Sequence, residues 1–298
     1  MSGSSIPSSA QTQTQTQTQT QTQTQTQTQT QAQAQAQDEQ RRAVGAGSPW
    51  LRTWHSGGRT RRRLLCLPPA GGAAHVYGRW ATRLPAGTEV VAVELPGHGT
   101  RIGERPLTRM ADVVTGVETA LDGLPELPLV IFGHSMGAVV GLELARSLRH
   151  RHGHPVHAVI AAASPAPSTP PPDRWAKGAA TPDEELLALL DHSGSLPDQL
   201  REHSEFLDLY LPVLRADLEI LSGHRSRREE PLPCALRVYV GADDPLVSEA
   251  EAWPWSPSDI AGDRRLRLFP GGHSFLHEHP GPVLDGLARD LALVTPGA

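Results

Sequence analysis

Short apolar runs alternate along this chain with longer segments in which apolar residues recur every three or four positions. The apolar runs, each four to eight residues long, lie at 64–67, 89–95, 129–132, 156–163, 236–240 and 266–269. Runs of this length are typical of strands buried on both faces of a sheet. Helical periodicity occupies 73–84, 110–121, 138–149 and 280–293. The alternation predicts an α/β fold, with a mostly parallel sheet and helices on both of its faces.

One segment, at about 165–233, interrupts this alternation. It has no strand pattern, begins with a proline-rich stretch, and continues with helical patterns at 183–190 and 206–221. A helical insertion after the strand at 156–163 would lie over the carboxyl ends of the strands, where α/β folds bind their ligands. We therefore predict a lid, with an ordinary surface subdomain as the alternative.

The first 47 residues differ in composition from the rest of the chain. Residues 11–37 alternate Gln with Thr or Ala, and no apolar side chain larger than alanine occurs between Pro7 and Val44. Such a segment buries too little apolar surface to offset its conformational entropy. We predict a disordered tail at 1–47 and one domain at 48–298. The tail is interpreted as a repeat expansion or a start site assigned too far upstream, with a tether or an aggregating tract as alternatives.

Charge and composition exclude several classes of function. The formal net charge of −5 gives no reason to expect nucleic-acid binding. We expect no signal peptide, since the N-terminus is polar, and no apolar run approaches the ~20 residues that span a bilayer. Cys66 and Cys234 are both assigned to central strands, which favours two buried thiols over a disulfide or a metal site. We expect a cytoplasmic monomer without cofactor, metal or membrane contact.

The most informative motif follows the strand predicted at 129–132. Residues 133–137 read Gly-His-Ser-Met-Gly and lead directly into a helical pattern. A Gly-x-Ser-x-Gly motif between a strand and a helix forms a tight turn, flanked by glycines, that exposes the serine hydroxyl at the end of the strand. Ser135 is therefore the candidate nucleophile.

A serine nucleophile needs a general base, and the base needs an acid that orients it. In folds with this turn, the chain order is serine, acid, histidine. His273 is the candidate base because it follows the last predicted strand on a Gly-Gly loop. Asp244 is the candidate acid because it follows the penultimate strand and precedes Pro245, which fixes the turn. The adjacent Asp243 is the alternative.

Acyl transfer also requires two backbone N–H groups that bind the oxyanion of the tetrahedral intermediate. One comes from the residue after the nucleophile, Met136, and the other from the loop after the first predicted strand. In that loop Pro68 and Pro69 have no N–H, so Ala70 is the first available donor.

Several other histidines are given non-catalytic interpretations. His98 precedes the serine, which is the wrong order for a base in this fold, and is interpreted as a loop residue. His134 is interpreted as structural, and His75 as a residue that could line the entrance to the site. His277 and His279 are interpreted as surface residues.

With these residues in place, the chain resembles the type II thioesterases, stand-alone α/β-hydrolases that accompany polyketide synthases and non-ribosomal peptide synthetases. The resemblance covers about residues 64–293. It is carried by Leu67-Pro-Pro-Ala-Gly-Gly, Glu94-Leu-Pro-Gly, Phe132-Gly-His-Ser-Met-Gly-Ala, Leu211-Pro-Val-Leu-Arg-Ala-Asp, Gly241-Ala-Asp-Asp-Pro-Leu-Val and Phe269-Pro-Gly-Gly-His-Ser-Phe-Leu. The segment at 211–217 and the Phe-Pro-Gly-Gly-His ending are the most specific of these.

The resemblance implies hydrolysis of acyl thioesters carried on the phosphopantetheine arm of carrier-protein domains. The usual role is editing, which removes stalled or misprimed acyl groups. The resemblance also implies that Ser135 is the nucleophile, His273 the base and Asp244 the acid, and that Ala70 and Met136 form the oxyanion hole.

The chain departs from the family pattern at three positions without losing a catalytic group. Relatives commonly carry His or Tyr at the position of Pro69, Arg at that of His98, and an aromatic residue at that of Ser274. A general carboxylesterase or acyltransferase acting on small molecules with the same triad is the first alternative. A non-catalytic interaction protein that works through the Gln-Thr tail is the second.

Overall fold

The computed structural model describes residues 48–149, 155–166, 180–194, 203–225, 231–255 and 262–294; the tail predicted at 1–47 lies outside them. The strands are β1 (Leu51–His55), β2 (Arg62–Leu67), β3 (Thr88–Val93), β4 (Leu129–His134), β5 (Val156–Ala162), β6 (Ala235–Gly241) and β7 (Arg264–Phe269). The α-helices are α1 (Met110–Leu121), α2 (Met136–Leu148), α3 (Asp183–His192), α4 (Ser204–Gly223), α5 (Glu249–Ala252), α6 (Phe275–Glu278) and α7 (Pro280–Val294). Within the described ranges, 3₁₀ helices lie at Ala74–Thr82 and Gly99–Arg101.

The described strands form one sheet in the order β1-β3-β2-β4-β5-β6-β7. Strands β2 to β7 run parallel, and β1 pairs antiparallel with β3 at one edge. Strand β1 is not predicted from the sequence, since Leu51 and Trp54 are its only buried hydrophobic residues and it has no apolar run. The predicted α/β class, with a mostly parallel sheet, is confirmed.

The helix predicted at 73–84 is a 3₁₀ helix over Ala74–Thr82. A 3₁₀ helix has three residues per turn, so residues three apart lie above one another. Ala74, Tyr77 and Trp80 follow this spacing, and all three are buried. The tighter helix thereby brings its large side chains onto one line facing the sheet.

The two faces of the sheet are covered differently. Alternate residues of a strand point to opposite faces. Ile131 of β4 therefore joins the aliphatic core with α1 and α2. The next residue, Phe132, lies edge-to-face against Trp80, with ring centroids 4.9 Å apart.

The order of the strands creates a crevice at one point of the sheet. From β2 the chain passes to β3 on one side and later returns to β4 on the other side of β2. The loops after β2 and β4 therefore leave the sheet in different directions, and α/β sheets bind ligands at such a switch point. The loop at 68–72 and the turn at Ser135 both lie here.

Between β5 and β6, the described residues contain the helices α3 and α4, which we call the helical insertion. An ion pair between Arg215 of α4 and Asp183 of α3 links the two helices. One face of α4 is buried, and it includes Leu214, Asp217 and Leu218. No helix in the described ranges is long and apolar enough to cross a membrane.

Both cysteines are buried and carry free thiols. Cys66 lies in β2, whereas Cys234, which the sequence analysis assigned to a strand, directly precedes β6. Burial raises the pKa of the Cys234 thiol to about 12. The thiol is therefore uncharged and unreactive at neutral pH.

Candidate active site

Ser135 has a backbone conformation that non-glycine residues rarely adopt, with φ 53° and ψ −115°. Conformations of this kind cost of order 1–3 kcal/mol and persist only where the surroundings impose them. Here the Ser135 N–H donates to the carbonyl of Ala162 at 2.8 Å, and its carbonyl accepts from the N–H of Ala138 at 3.0 Å. The two bonds fix the turn between β4 and α2 that the motif predicts.

The two glycines of the motif are required by close backbone contacts. A Cβ at Gly133 would collide with the backbone of Gly137, on the other side of the turn. A Cβ at Gly137 would collide with the carbonyls of Leu67 and Pro68. The nucleophile turn therefore lies directly against the loop that follows β2.

Three side chains from separate loops form one hydrogen-bonded chain. The Nε2 atom of His273 lies 3.1 Å from the Oγ atom of Ser135. The Nδ1 atom of His273 lies 2.9 Å from Oδ2 of Asp244 and 3.2 Å from its Oδ1. The Asp244 side chain is completely buried, and that of His273 is 6% exposed. The structure thus brings the three predicted side chains together.

The choice between the two adjacent aspartates follows from their hydrogen bonds. Oδ1 of Asp244 accepts from the backbone N–H groups of Leu246 at 2.8 Å and Val247 at 3.0 Å. These bonds aim the carboxylate at His273. Asp243 is exposed, and its N–H donates to the carbonyl of Gly271. The geometry favours Asp244.

The loop after β2 contains a β-turn over residues 69–72. The N–H of Gly72 donates to the carbonyl of Pro69 at 2.9 Å. Gly71 has a φ of 70°, which is typical of the third residue of a type II turn. Ala70 is the second residue of this turn, and Met136 begins α2 beside it. Both predicted oxyanion donors therefore lie on the two backbone segments that meet at Gly137.

A cavity of about 490 Å³ opens next to these residues. Ala70, His134 and Ser274 line it on the side of Ser135, and its walls are largely apolar. The walls come from the loop after β3 and from α4, through Ile102, Phe206, Leu209, Tyr210 and Val213. None of these side chains is assigned to a cavity from the sequence, because the helical pattern of α4 does not reveal which surface the helix covers.

The remaining histidines have distinct environments. His134 is buried, and its Nε2–H donates to the backbone carbonyl of His273 at 2.9 Å. Burial, with smaller effects of His273 and His277, lowers its pKa well below the usual range. His134 is therefore a neutral residue that supports the His273 loop. His75 and His277 line the cavity, and His279 is exposed.

The interpretation of His98 as a loop residue is incomplete. The residue does lie in the loop after β3, but its side chain is only 2% exposed, and its Nε2 lies 2.8 Å from Oδ2 of Asp217 in α4. Asp217 stands on the buried face of α4, three residues after Leu214. An acidic residue on the apolar face of an amphipathic helix was the signal available in the sequence.

Comparison with known proteins identifies the family. A family model described as the thioesterase domain matches residues 62–291, which is more than half of the chain. The chain belongs to the thioesterase family. The thioesterase is therefore a hydrolase that acts on thioesters, as predicted, and its fold is the α/β-hydrolase fold.

Individual relatives agree with this result. The thioesterase is 30% identical over 233 residues to the gramicidin S biosynthesis protein GrsT of Aneurinibacillus migulanus, covering 78% of this chain and 90% of that protein. It is 31% identical over 250 residues to Thioesterase PikA5 of Streptomyces venezuelae, covering 84% and 87%. Among solved structures, the type II thioesterase BorB from the borrelidin biosynthetic cluster matches with 33% identity and a TM-score of 0.72, covering 83% of this chain and 100% of that one. The resemblance to type II thioesterases is confirmed.

Proposed function

We propose that the thioesterase releases acyl groups from the phosphopantetheine arm of carrier proteins, as an editing enzyme of polyketide or non-ribosomal peptide synthesis. In this proposal Ser135 is the nucleophile, His273 the general base and Asp244 the acid that orients it. The observation that carries the proposal is the continuous hydrogen-bonded chain from Asp244 through His273 to Ser135, at the edge of an apolar cavity.

Acylation begins when His273 Nε2 takes the proton of the Ser135 hydroxyl. The Oγ atom then attacks the thioester carbonyl carbon, and the carbonyl electrons move to its oxygen. The N–H groups of Ala70 and Met136 bind this oxyanion. When the intermediate collapses, the carbon–sulfur bond breaks, and the sulfur leaves with the proton from His273.

Deacylation repeats these steps with water. His273 takes a proton from water, the resulting hydroxide attacks the acyl-serine, and the carbon–Oγ bond breaks as Ser135 recovers its proton. The product is a free carboxylic acid. Asp244 accepts the hydrogen bond of Nδ1–H throughout, which fixes the tautomer and stabilises the imidazolium.

The proposed substrate is supported by the relatives and by the cavity. Two similar proteins are named as a gramicidin S biosynthesis protein and as the type II thioesterase of the borrelidin biosynthetic cluster. The cavity walls are largely apolar, which suits an acyl chain, and α4 forms one of them. We propose that the helical insertion is a lid that shapes the acyl site and the entrance for the arm.

The test compares release of a butyryl group from a loaded acyl carrier protein with its release from butyryl-CoA. Wild type should act faster on the carrier, and Ser135→Ala should lose at least about 10⁴-fold in kcat. Ser164→Ala is a matched control, since Ser164 is also a buried serine at the end of a strand and should retain kcat within about twofold.

Two results would contradict the proposal. Near-wild-type turnover by Ser135→Ala would exclude the serine mechanism. Equal or faster hydrolysis of CoA thioesters or simple esters would leave the triad intact but favour a general esterase or acyltransferase. The monomeric state and the cytoplasmic location stay predictions from the sequence.

A further inference from the structure

A buried hydrogen-bond network joins the helical insertion to the oxyanion loop. Oδ2 of Asp217, on α4, accepts from the backbone N–H of Gly71 at 2.7 Å and lies 2.8 Å from Nε2 of His98. The side chains of His98 and Asp217 are 2% and 1% exposed. One carboxylate oxygen therefore holds two loops of the core at once, those after β2 and β3.

The partners of His98 define its protonation. Nδ1 of His98 lies 3.0 Å from the carbonyl of Pro96. Because a carbonyl only accepts hydrogen bonds, Nδ1 carries a proton. A second proton on Nε2 makes the ring an imidazolium that donates to the Asp217 carboxylate. Burial opposes the charged ring, but the charge and hydrogen bond of Asp217 outweigh it and raise the pKa of His98 above its usual value.

Other ionisable groups near the pair do not replace either partner. Glu94, in the chain just after β3, adds a smaller effect on His98 in the same direction. Glu94 is itself paired with Arg52. Tyr210, two turns before Asp217 on α4, is neutral, because burial and the Asp217 charge raise its pKa to about 12.

The Gly71 N–H belongs to the middle peptide of the turn that carries the proposed oxyanion donor Ala70. In a type II turn this peptide has one orientation, and in a type I turn it is rotated by about 180°. A carboxylate that accepts the Gly71 N–H therefore selects one form of the turn. A Cβ at Gly71 would collide with the hydroxyl of Tyr210, so α4 also covers the turn sterically.

We propose that Asp217 is a positioning residue, which reaches from the helical insertion to hold the oxyanion turn in its active form. We further propose that His98 neutralises Asp217 so that the carboxylate does not repel the oxyanion. Adjacent Cα atoms are ~3.8 Å apart. Without a positive charge on His98, the Asp217 carboxylate at the Gly71 N–H would therefore lie close to the oxyanion at the Ala70 N–H and repel it. The proposal rests on the proposed function, since it assumes that Ala70 donates to the oxyanion.

The pair makes a specific prediction about pH. Because the pKa of His98 is raised in the folded protein, the ion pair is complete below the ordinary value of 6.5 and is lost as the pH rises through the raised value. An arginine at this position keeps its charge over the whole range. The ratio of kcat for wild type to kcat for His98→Arg should therefore fall as the pH increases. Titratable groups that both enzymes contain, such as His273, affect the two kcat values equally and cancel in the ratio.

The experiment measures kcat and KM for thioester hydrolysis from about pH 6 to about pH 9, with whichever of butyryl-carrier and butyryl-CoA wild type turns over faster. Asp217→Ala should lose about 10- to 100-fold in kcat with KM within about twofold, because a misplaced donor weakens only transition-state binding. In His98→Gln the side chain keeps a hydrogen-bond donor but has no charge. The ratio of kcat for His98→Gln to kcat for His98→Arg should therefore be low and independent of pH.

A structural role for the same residues is tested with Leu214→Ala. Leu214 is a buried residue of the apolar core on the same helix, α4. This variant should lower Tm at least as much as Asp217→Ala but should retain kcat within about threefold. Three results would each overturn the proposal. The first is an equal loss of kcat in Leu214→Ala and Asp217→Ala, and the second is full kcat in Asp217→Ala. The third is a ratio of kcat for wild type to kcat for His98→Arg that does not change with pH. Loss of activity in Ser135→Ala is unaffected by these outcomes, so a failure here is distinct from a failure of the proposed function.

Discussion

At the scale of single residues, Asp243 and Asp244 are chemically identical neighbours with different environments. The Asp244 side chain is buried and is held by two backbone N–H groups while it faces His273. Asp243 is exposed. The backbone turn alone separates the two carboxylates, so exchanging each for an amide isolates the role of the charge.

Asp244→Asn should lower kcat by about 10⁴-fold, because an amide stabilises the wrong tautomer of the base and leaves the imidazolium without a counter-charge. Asp243→Asn, the matched control, should retain kcat within about twofold. The measurement is kcat for thioester hydrolysis, with Tm to establish that both variants are folded. Equal effects of the two exchanges would show that Asp244 is not the orienting acid.

At the scale of elements, a buried network attaches the last helix, α7, to the last two strands. Asp290 of α7 accepts hydrogen bonds from Tyr239 of β6 at 2.7 Å and from Arg267 of β7 at 2.7 and 2.9 Å. Arg237 of β6 lies 3.3 Å away. Burial would raise the pKa of Asp290, but the bonds from Arg267 and Tyr239 outweigh it, and the pKa falls below its ordinary value of 3.8.

Asp290→Ala should lower the free energy of unfolding by about 3–5 kcal/mol, since it leaves the buried Arg237 without one of its partners. Asp285→Ala is the control on the same helix. The Asp285 side chain is 63% exposed and its ion pair with Arg83 spans 3.5 Å, so the change should be within about 0.5 kcal/mol. Urea unfolding at neutral pH measures both.

The pH dependence of this difference has a definite sign. A carboxyl group with a depressed pKa stabilises the fold above its unfolded pKa, and this contribution is lost as the pH falls through the folded value. The gap in stability between wild type and Asp290→Ala should therefore be constant near neutrality and shrink in acid. A gap that stayed constant in acid would contradict the assignment of an ionised Asp290.

At the scale of the whole molecule, every residue of the proposed mechanism lies between β2 and α6. Of the described residues N-terminal to β1, Trp50 packs its ring against Gly116 of α1 and lies 4.9 Å from the Arg101 guanidinium. Removal of residues 2–46 should therefore leave kcat/KM within about twofold of wild type and Tm within about 2 °C.

Removal of residues 2–56 is the contrasting truncation. It deletes β1 and Trp50 and exposes the edge of β3, so Tm should fall by about 6 °C or more. Tm and kcat/KM measured on both truncations check the prediction. A loss of activity on removal of residues 2–46 would indicate that the Gln-Thr tail acts in catalysis or substrate delivery.

Elements whose character is set by neighbouring residues can be predicted from the sequence, and the central strands are the clearest case. The central strands are buried on both faces, so each one appears as a continuous apolar run. The edge strand β1 is short and mixed in character, and it escaped detection. The helix at 74–82 was located, but its 3₁₀ form reflects packing of Tyr77 and Trp80 on the sheet, which local sequence does not specify.

The sequence by itself determined the order of the elements, the turn at Ser135 and the positions of His273 and Asp244 at strand ends, because each follows from neighbouring residues and from chain order. Only the tertiary structure decided which aspartate faces the histidine and that His98 and Asp217, 119 residues apart, form a buried pair. The physical reason is that burial and charge pairing depend on which surfaces meet, and helix α4 meets the loops after β2 and β3 only in the folded molecule.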